Sequence, residues 1–323
     1  MTMKTPKKII SLLAGSALFA ASFLNAATTD PVGYVTIDIK GGGTTNLVAN
    51  AGLVKASSFV GIGNVSGDTT LTLAGASWTV DAFASSYYVQ LNITGEWAQI
   101  TSNTSDALTL ASHLPNGSGQ NFIIRPLNTL DSLFGSDNSA GFLGSATFGG
   151  GDIVAPWDAS NQNLSAFYYY DTDDNSWKDA ANNPAGTSIV YPDESLMVIG
   201  SGVDKSIVIS GTVQTGVTSG DLFGDGGTNI VPNPYPVPLV IKDSGYESAI
   251  TGGSTLAESD LLLTWDPSAQ NFSAFYFYDT DDNTWKDSSN NAADVNDVIP
   301  VGGAAVILKY SLGGNSWVIN QTY

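Results

Sequence analysis

The chain has no cysteine, one histidine and one arginine, and only 13% of its 323 residues are charged. The missing thiol excludes disulfides, cysteine-bound zinc, thiol nucleophiles and a lipid-modified cysteine at the N-terminus. The lone histidine, His113, sits in a loop-like Ser-His-Leu-Pro-Asn-Gly stretch. It cannot supply a zinc ligand set, and no Gly-x-Ser-x-Gly turn presents a nucleophile to it. The triple-glycine stretches 41–43 and 149–151 lack the lysine and helix of a phosphate loop and read as turns. Helical periodicity is confined to one short turn, expected within Leu127–Phe134 with Asn128 or Thr129 as its cap. An enzymatic function is therefore not expected.

Basic residues number 11 against 30 acidic ones. Three of those bases, Lys4, Lys7 and Lys8, precede the apolar run Ile9–Phe23 and the small residues Ala26 and Ala27, which reads as a secretory signal cleaved after Ala26. Its removal takes three positive charges and no negative one, moving the formal charge from −19 to −22. No later run approaches the roughly 20 apolar residues of a membrane-spanning helix. A regular series of ten-residue amphipathic strands, the mark of an outer-membrane barrel, is missing too. A surface this acidic repels nucleic acid and anionic lipid. The expected location is secreted, periplasmic or cell-surface.

What is abundant is apolar and turn-forming: 42% hydrophobic residues, 35 glycines, seven tryptophans. Short alternating or aromatic runs bounded by Gly, Asn, Ser and Asp predict an all-β chain, built as two or three related sandwich-like or barrel-like units. The units are marked by a repeat. The segment from Trp157 to Asp179 returns almost unchanged from Trp265 to Asp287, 108 positions later. A weaker third copy is suggested by Trp78 and Trp97, with Tyr87-Tyr88-Val89 between them. Gly33-Tyr34-Val35 followed by Asn46–Asn50 matches Gly211-Thr212-Val213 followed by Asn229–Asn233, and Leu133-Phe134-Gly135 matches Leu222-Phe223-Gly224. These fragments suggest an N-terminal unit at 27–126, a middle unit at 127–204 and a C-terminal unit at 205–323.

The repeated element reads first as an aromatic β-hairpin whose turn, Asp-Thr-Asp-Asp-Asn, is rich in residues that accept left-handed backbone. Two functional readings compete with that one. Asp171, Asp173 and Asn175, and likewise Asp279, Asp281 and Asn283, place oxygens at positions 1, 3 and 5 of a calcium-type loop. Position 6 is Ser176 or Thr284 rather than Gly, however, and position 12 is Asn182 or Asn290 rather than Glu. Alternatively, Trp157 and Trp265, in polar surroundings, present rings for carbohydrate stacking.

Val32-Gly33-Tyr34-Val35, Tyr87-Tyr88-Val89, the 102–110 run Ser-Asn-Thr-x-Asp-x-Leu-Thr-Leu, Leu133-Phe134-Gly135 and the aromatic-Trp hairpins together resemble an uncharacterised family of exported bacterial proteins. That family commonly has Arg after the hairpin Trp, where Lys178 and Lys286 stand here. The resemblance implies export and a shared fold, and no site. The hairpin is also similar to that of kelch-type propeller repeats, but its copies are too few and too unevenly spaced for a propeller. The expected function is a non-enzymatic structural, surface or matrix protein of adhesion type, self-associating or bound to extracellular polysaccharide. The alternative is a calcium-binding or carbohydrate-binding module protein; no other cofactor is expected.

Overall fold

The computed structural model describes residues 31–50 and 52–320; the expected signal segment lies outside them. The chain opens with β1 (Val32–Ile39), β2 (Thr44–Ala49) and β3 (Leu53–Val54). Next come β4 (Phe59–Ser66), β5 (Thr70–Thr72), β6 (Tyr87–Leu91), β7 (Trp97–Asn103), β8 (Ala107–Leu110) and β9 (Gly117–Pro126). Then follow β10 (Asn128–Thr129), a single helical turn α1 (Leu130–Phe134), β11 (Ile153–Asp158), β12 (Asn163–Leu164), β13 (Tyr168–Asp171) and β14 (Ser176–Asp179). They continue into β15 (Ile189–Val190), β16 (Ser195–Gly200) and β17 (Lys205–Val213). The last third holds β18 (Thr218–Leu222), β19 (Gly227–Pro232), β20 (Leu239–Val240), β21 (Leu261–Asp266) and β22 (Asn271–Asp279). It ends with β23 (Thr284–Asp287), β24 (Val298–Ile299), β25 (Ala304–Lys309) and β26 (Asn315–Ile319). Strands make up 48% of the structure and helices 5%, so the all-β expectation holds. No helix among the described residues is long and apolar enough to cross a membrane.

The duplication extends to the sheets, with β3 beside β17 as an addition in the first copy, where the short β12 beside β11 also stands as a separate strand. One antiparallel sheet runs β14-β13-β11-β16-β2 and the other β23-β22-β21-β25-β19, the same order of equivalent strands. Each has a flanking ribbon, β1 with β17 and β18 with β26, and a small ladder, β10 with β15 and β20 with β24. Within β17 the alternation puts Ile207 and Ile209 inside and Ser206, Val208 and Ser210 outside, the pattern of a ribbon with one wet face. Each copy closes over its own apolar cluster, the first around Val154, Trp177 and Val198, the second around Leu262, Trp285 and Ile307.

The expected boundary at 126 coincides with the end of the barrel strand β9, but neither the start of that unit at 27 nor the boundary at 204 is where the sheets divide. β2 pairs with β16 and β1 with β17, so residues 32–54 complete the copy that ends at Val213. Gly33-Tyr34-Val35 and Gly211-Thr212-Val213 lie on adjacent strands of one ribbon, with Gly33 directly opposite Gly211, and are not equivalent strands of two copies. Leu133-Phe134-Gly135 lies in α1 and its cap, whereas Leu222-Phe223-Gly224 ends a strand, so that pair is not equivalent. The helical turn itself is as expected, with Thr129 capping it through its hydroxyl.

The third copy is corrected as well. Strands β4 to β9 close into a six-stranded antiparallel barrel, in the order β4-β5-β8-β7-β6-β9, with its own core of Leu71, Val89, Ile100, Leu108 and Phe122. The barrel is an insertion between β3 and β10. At the corresponding point the second copy passes from β19 to β20 through the proline-rich Pro234–Pro238. Trp78 packs edge-on against Phe59 and Phe83 in the barrel, while Trp97 lies on its outside, stacked on Tyr191. Their spacing mimics the repeat without sharing its structure.

Candidate functional site

In both copies the repeated turn is capped from within. Asp171 Oδ1 accepts the amides of Asp173 and Asp174 at 2.8 and 3.3 Å, and Asp279 Oδ1 accepts those of Asp281 and Asp282 at the same distances. Asn175 and Asn283 take left-handed backbone, with φ of 50° and 52°, which asparagine tolerates better than most residues. Asp179 and Asp287 cap the next turn in the same manner. The lysine after each Trp provides the cation: Lys178 Nζ is 2.7 Å from Asp174, and Lys286 Nζ is 2.8 Å from Asp279. Asp173 and Asp281 point to solvent. Among the described residues no three His, Asp or Glu side chains gather as a metal set.

The tryptophans divide into two roles. Trp177 and Trp285 are 1% exposed and anchor the two cores, each with its indole N–H bonded, to Gly135 O and to a Glu247 carboxylate oxygen. Trp157 and Trp265 reach across to the other copy. Trp157 Nε1 donates to Thr228 O, and Trp265 Nε1 donates to the equivalent Thr45 O, both at 2.9 Å. Gln162 and Gln270 hold the same two threonines, each accepting the backbone amide and donating to the carbonyl. The strand edges at β2 and β19 are thus clasped reciprocally, and Leu47 and Ile230 pack in the layer between the sheets. The sequence names these residues and not their task, because a contact with the other copy carries no local periodicity.

The clasp leaves a hollow on either side, and the two are related by the duplication. One, of about 250 Å3, lies beside Trp265 and is lined by Pro300, Val301, Gly303 and Ala304. The other, of about 260 Å3, lies beside Trp157, and there the 191–195 turn, equivalent to 300–304, contributes Tyr191, Asp193, Glu194 and Ser195. The equivalence is visible in the turn bonds, Glu194 N to Tyr191 O and Gly303 N to Pro300 O. Only the second hollow meets the barrel. There it opens past the Trp97–Tyr191 stack (5.8 Å between centroids, 24° between planes) into a cleft of about 440 Å3. Glu96, His113, Asp193, Ser219 and Asp221 line that cleft, with His113 on its exposed rim.

No lysine or arginine lines either chamber. Burial pushes the Asp193 carboxyl up to about 6, Asp221 adding to the rise while hydrogen bonds from Trp97 and the backbone oppose it. Burial likewise pushes Glu194 up to about 7, against the bond its carboxylate accepts from Tyr191 N at 2.9 Å. The sign of the consequence follows from linkage. The folded chain keeps protons here that the unfolded chain releases near its ordinary carboxylate values. Stability from this pair is therefore full at low pH and is lost as pH rises through about 4 to 7. Each pKa unit is worth about 1.4 kcal/mol. Asp193→Asn with Glu194→Gln should thus raise the melting temperature at pH 8, and by clearly less at pH 5, where only part of the loss has occurred. Equal shifts at both pH values in thermal melts would contradict this.

Sequence reasoning passed over this site because its residues come from three places, the barrel, the β15–β16 turn and β18. The legible signal was an asymmetry within the repeat, Tyr-Pro-Asp-Glu-Ser at 191–195 against Pro-Val-Gly-Gly-Ala at 300–304. No family model, no curated protein and no solved structure matches the chain.

Proposed function

We propose that the chain is an exported, non-enzymatic structural protein of a cell surface or extracellular matrix. One observation carries this reading: the residues shared by the two copies are consumed by the fold itself. Asp171 and Asp279 cap turns, Trp177 and Trp285 fill hairpin cores, and Trp157 and Trp265 clasp one copy to the other. The net charge of −19 and the cysteine-free composition suit an exported chain that depends on sheets alone.

The means of assembly is a second copy of the chain at strand β1. Among the described residues β1 pairs on one side only, with β17, and Val32 and Tyr34 on it are 77% and 75% exposed. A free, apolar strand edge is a template for another chain. The test is fractionation of bacteria expressing the full chain, followed by sedimentation of the exported product. A processed, exported protein that oligomerises with concentration, and stays monomeric as Val32→Lys/Tyr34→Lys, is the expected result. Retention in the cytoplasm, or a monomer at every concentration, overturns the proposal.

A further inference from the structure

Every strongly buried carboxylate of the two sheet-based copies that touches a cation touches a lysine: Asp152 with Lys205, Asp260 with Lys309, Asp279 with Lys286. The cleft between the barrel and the sheets is built differently. Glu96, Asp193, Glu194 and Asp221 line it, and its walls hold no lysine or arginine, only His113 on the exposed rim. Aromatic rings stand between the carboxylates, Trp97 stacked on Tyr191 and Trp157 at the inner end. Two polar groups in the walls also lack partners. Ser195, 3% exposed, lines the inner chamber with a hydroxyl that has no hydrogen-bond partner, and the buried Oε2 of Glu96 in the outer chamber has none either. A buried acceptor without a donor costs free energy unless a ligand supplies one.

We infer that this cleft binds an organic ammonium ion, held between the carboxylates of Glu96, Asp193, Glu194 and Asp221 and against the Trp97–Tyr191 wall. An ammonium group has three N–H donors and no acceptor, which suits a wall with four carboxylates and no cationic donor from lysine or arginine. Its charge offsets a negative potential that no lysine or arginine in the walls neutralises, and its carbon skeleton suits the aromatic wall. A metal ion fits less well, since the described acids do not gather around one point. The duplication provides an internal control. The twin hollow keeps its tryptophan, Trp265, and one carboxylate, Asp38, but carries Gly302, Gly303 and Ala304 in place of Asp193, Glu194 and Ser195, so it binds such a ligand much more weakly. This binding role goes beyond the structural reading above and does not depend on it.

The charges facing Asp193 and Glu194 are those of Asp221, Glu96 and Asp158, with His113 at the rim. Binding therefore strengthens as pH rises and these carboxyls ionise.

The experiment is calorimetric titration of the intact exported chain with two amines, spermidine and a glucosamine trimer, and with the N-acetylglucosamine trimer as the uncharged match. Spermidine keeps its charge from pH 5.5 to 7.5, so a pH profile measured with it reports the protein's carboxyls. Expected is one site per chain for at least one amine, the tighter of the two identifying the carrier as a polyamine or an amino sugar. Affinity for spermidine, where it binds, should fall about tenfold from pH 7.5 to 5.5. Asp193→Asn/Glu194→Gln should lower amine affinity at least about tenfold at pH 7.5 while making the fold more stable, which separates lost binding from lost structure. Failure of both amines to bind overturns the inference, as does equal binding of the acetylated trimer. So does an affinity that survives the double variant and falls instead with Asp173→Asn/Asp281→Asn on the exposed turns, the sign of diffuse attraction to an acidic surface.

Discussion

Trp177→Ala and Trp285→Ala should each destabilise the protein by about 3–5 kcal/mol, the range for truncating a large buried aromatic ring. Each ring occupies the middle of its core. Trp177 contacts Phe134, Phe142 and Tyr170 at centroid distances of 5.5–5.7 Å, and Trp285 contacts Tyr278 at 5.9 Å. Truncation leaves a cavity that a rigid sheet cannot close, and it orphans an indole partner, Gly135 O in one copy and the Glu247 carboxylate in the other. Trp177→Phe should cost much less, since most of the volume survives. Denaturant unfolding of the three single variants is the check. A Trp→Ala loss below about 1 kcal/mol would mean that the cores are not packed as described.

Asp260→Ala should be comparably damaging, by about 3–5 kcal/mol, because it leaves a charge buried without its counter-ion. Asp260 Oδ1 accepts the amides of Tyr310 and Ser311, and its Oδ2 accepts Thr251 N and the Ser311 hydroxyl and faces Lys309 Nζ at 3.4 Å. Lys309 is 0% exposed and would keep only Ala249 O and the Ser311 hydroxyl. Lys309→Met should cost less, since Asp260 retains four other donors and the methionine fills the space. The ordering Asp260→Ala worse than Lys309→Met, read from denaturant midpoints at pH 7, is the decisive result; the reverse order would place the energy in the ion pair rather than in the loop closures. In the first copy Asp152 does the same work, joining Leu143 N, Ser201 N and Lys205 Nζ, each at 2.7 Å.

The all-β character was legible because alternation, aromatic runs and turn residues are local properties. The hairpins at 168–179 and 276–287 could be placed almost residue by residue for the same reason. What escaped was long-range pairing. β1 and β2 resemble any other strands, and nothing near them says that their partners lie in β17 and β16, beyond an inserted barrel. The spacing of Trp78 and Trp97 imitated the repeat because hairpins of similar length put aromatic residues at similar intervals, whatever sheet they join. For the binding surface, similarity between the copies drew attention to Trp157 and Trp265, which the fold uses as a clasp. The difference between them, acidic 191–195 against plain 300–304, marked the cleft.

The barrel's place in the chain also sets a timetable. A chain emerging N-terminus first delivers β1 and β2 well before β16 and β17, so the apolar side of β1 stays without its partner until Val213 has followed. The barrel contains all its own partners and is free to fold during that wait. The last ribbon, β18 with β26, joins Thr218 to Ile319 and is the final seam to close. Until β17 arrives, β1 is an edge that a neighbouring chain can pair with, so on the assembly proposed above the concentration of chains during folding sets how many molecules finish alone and how many finish joined.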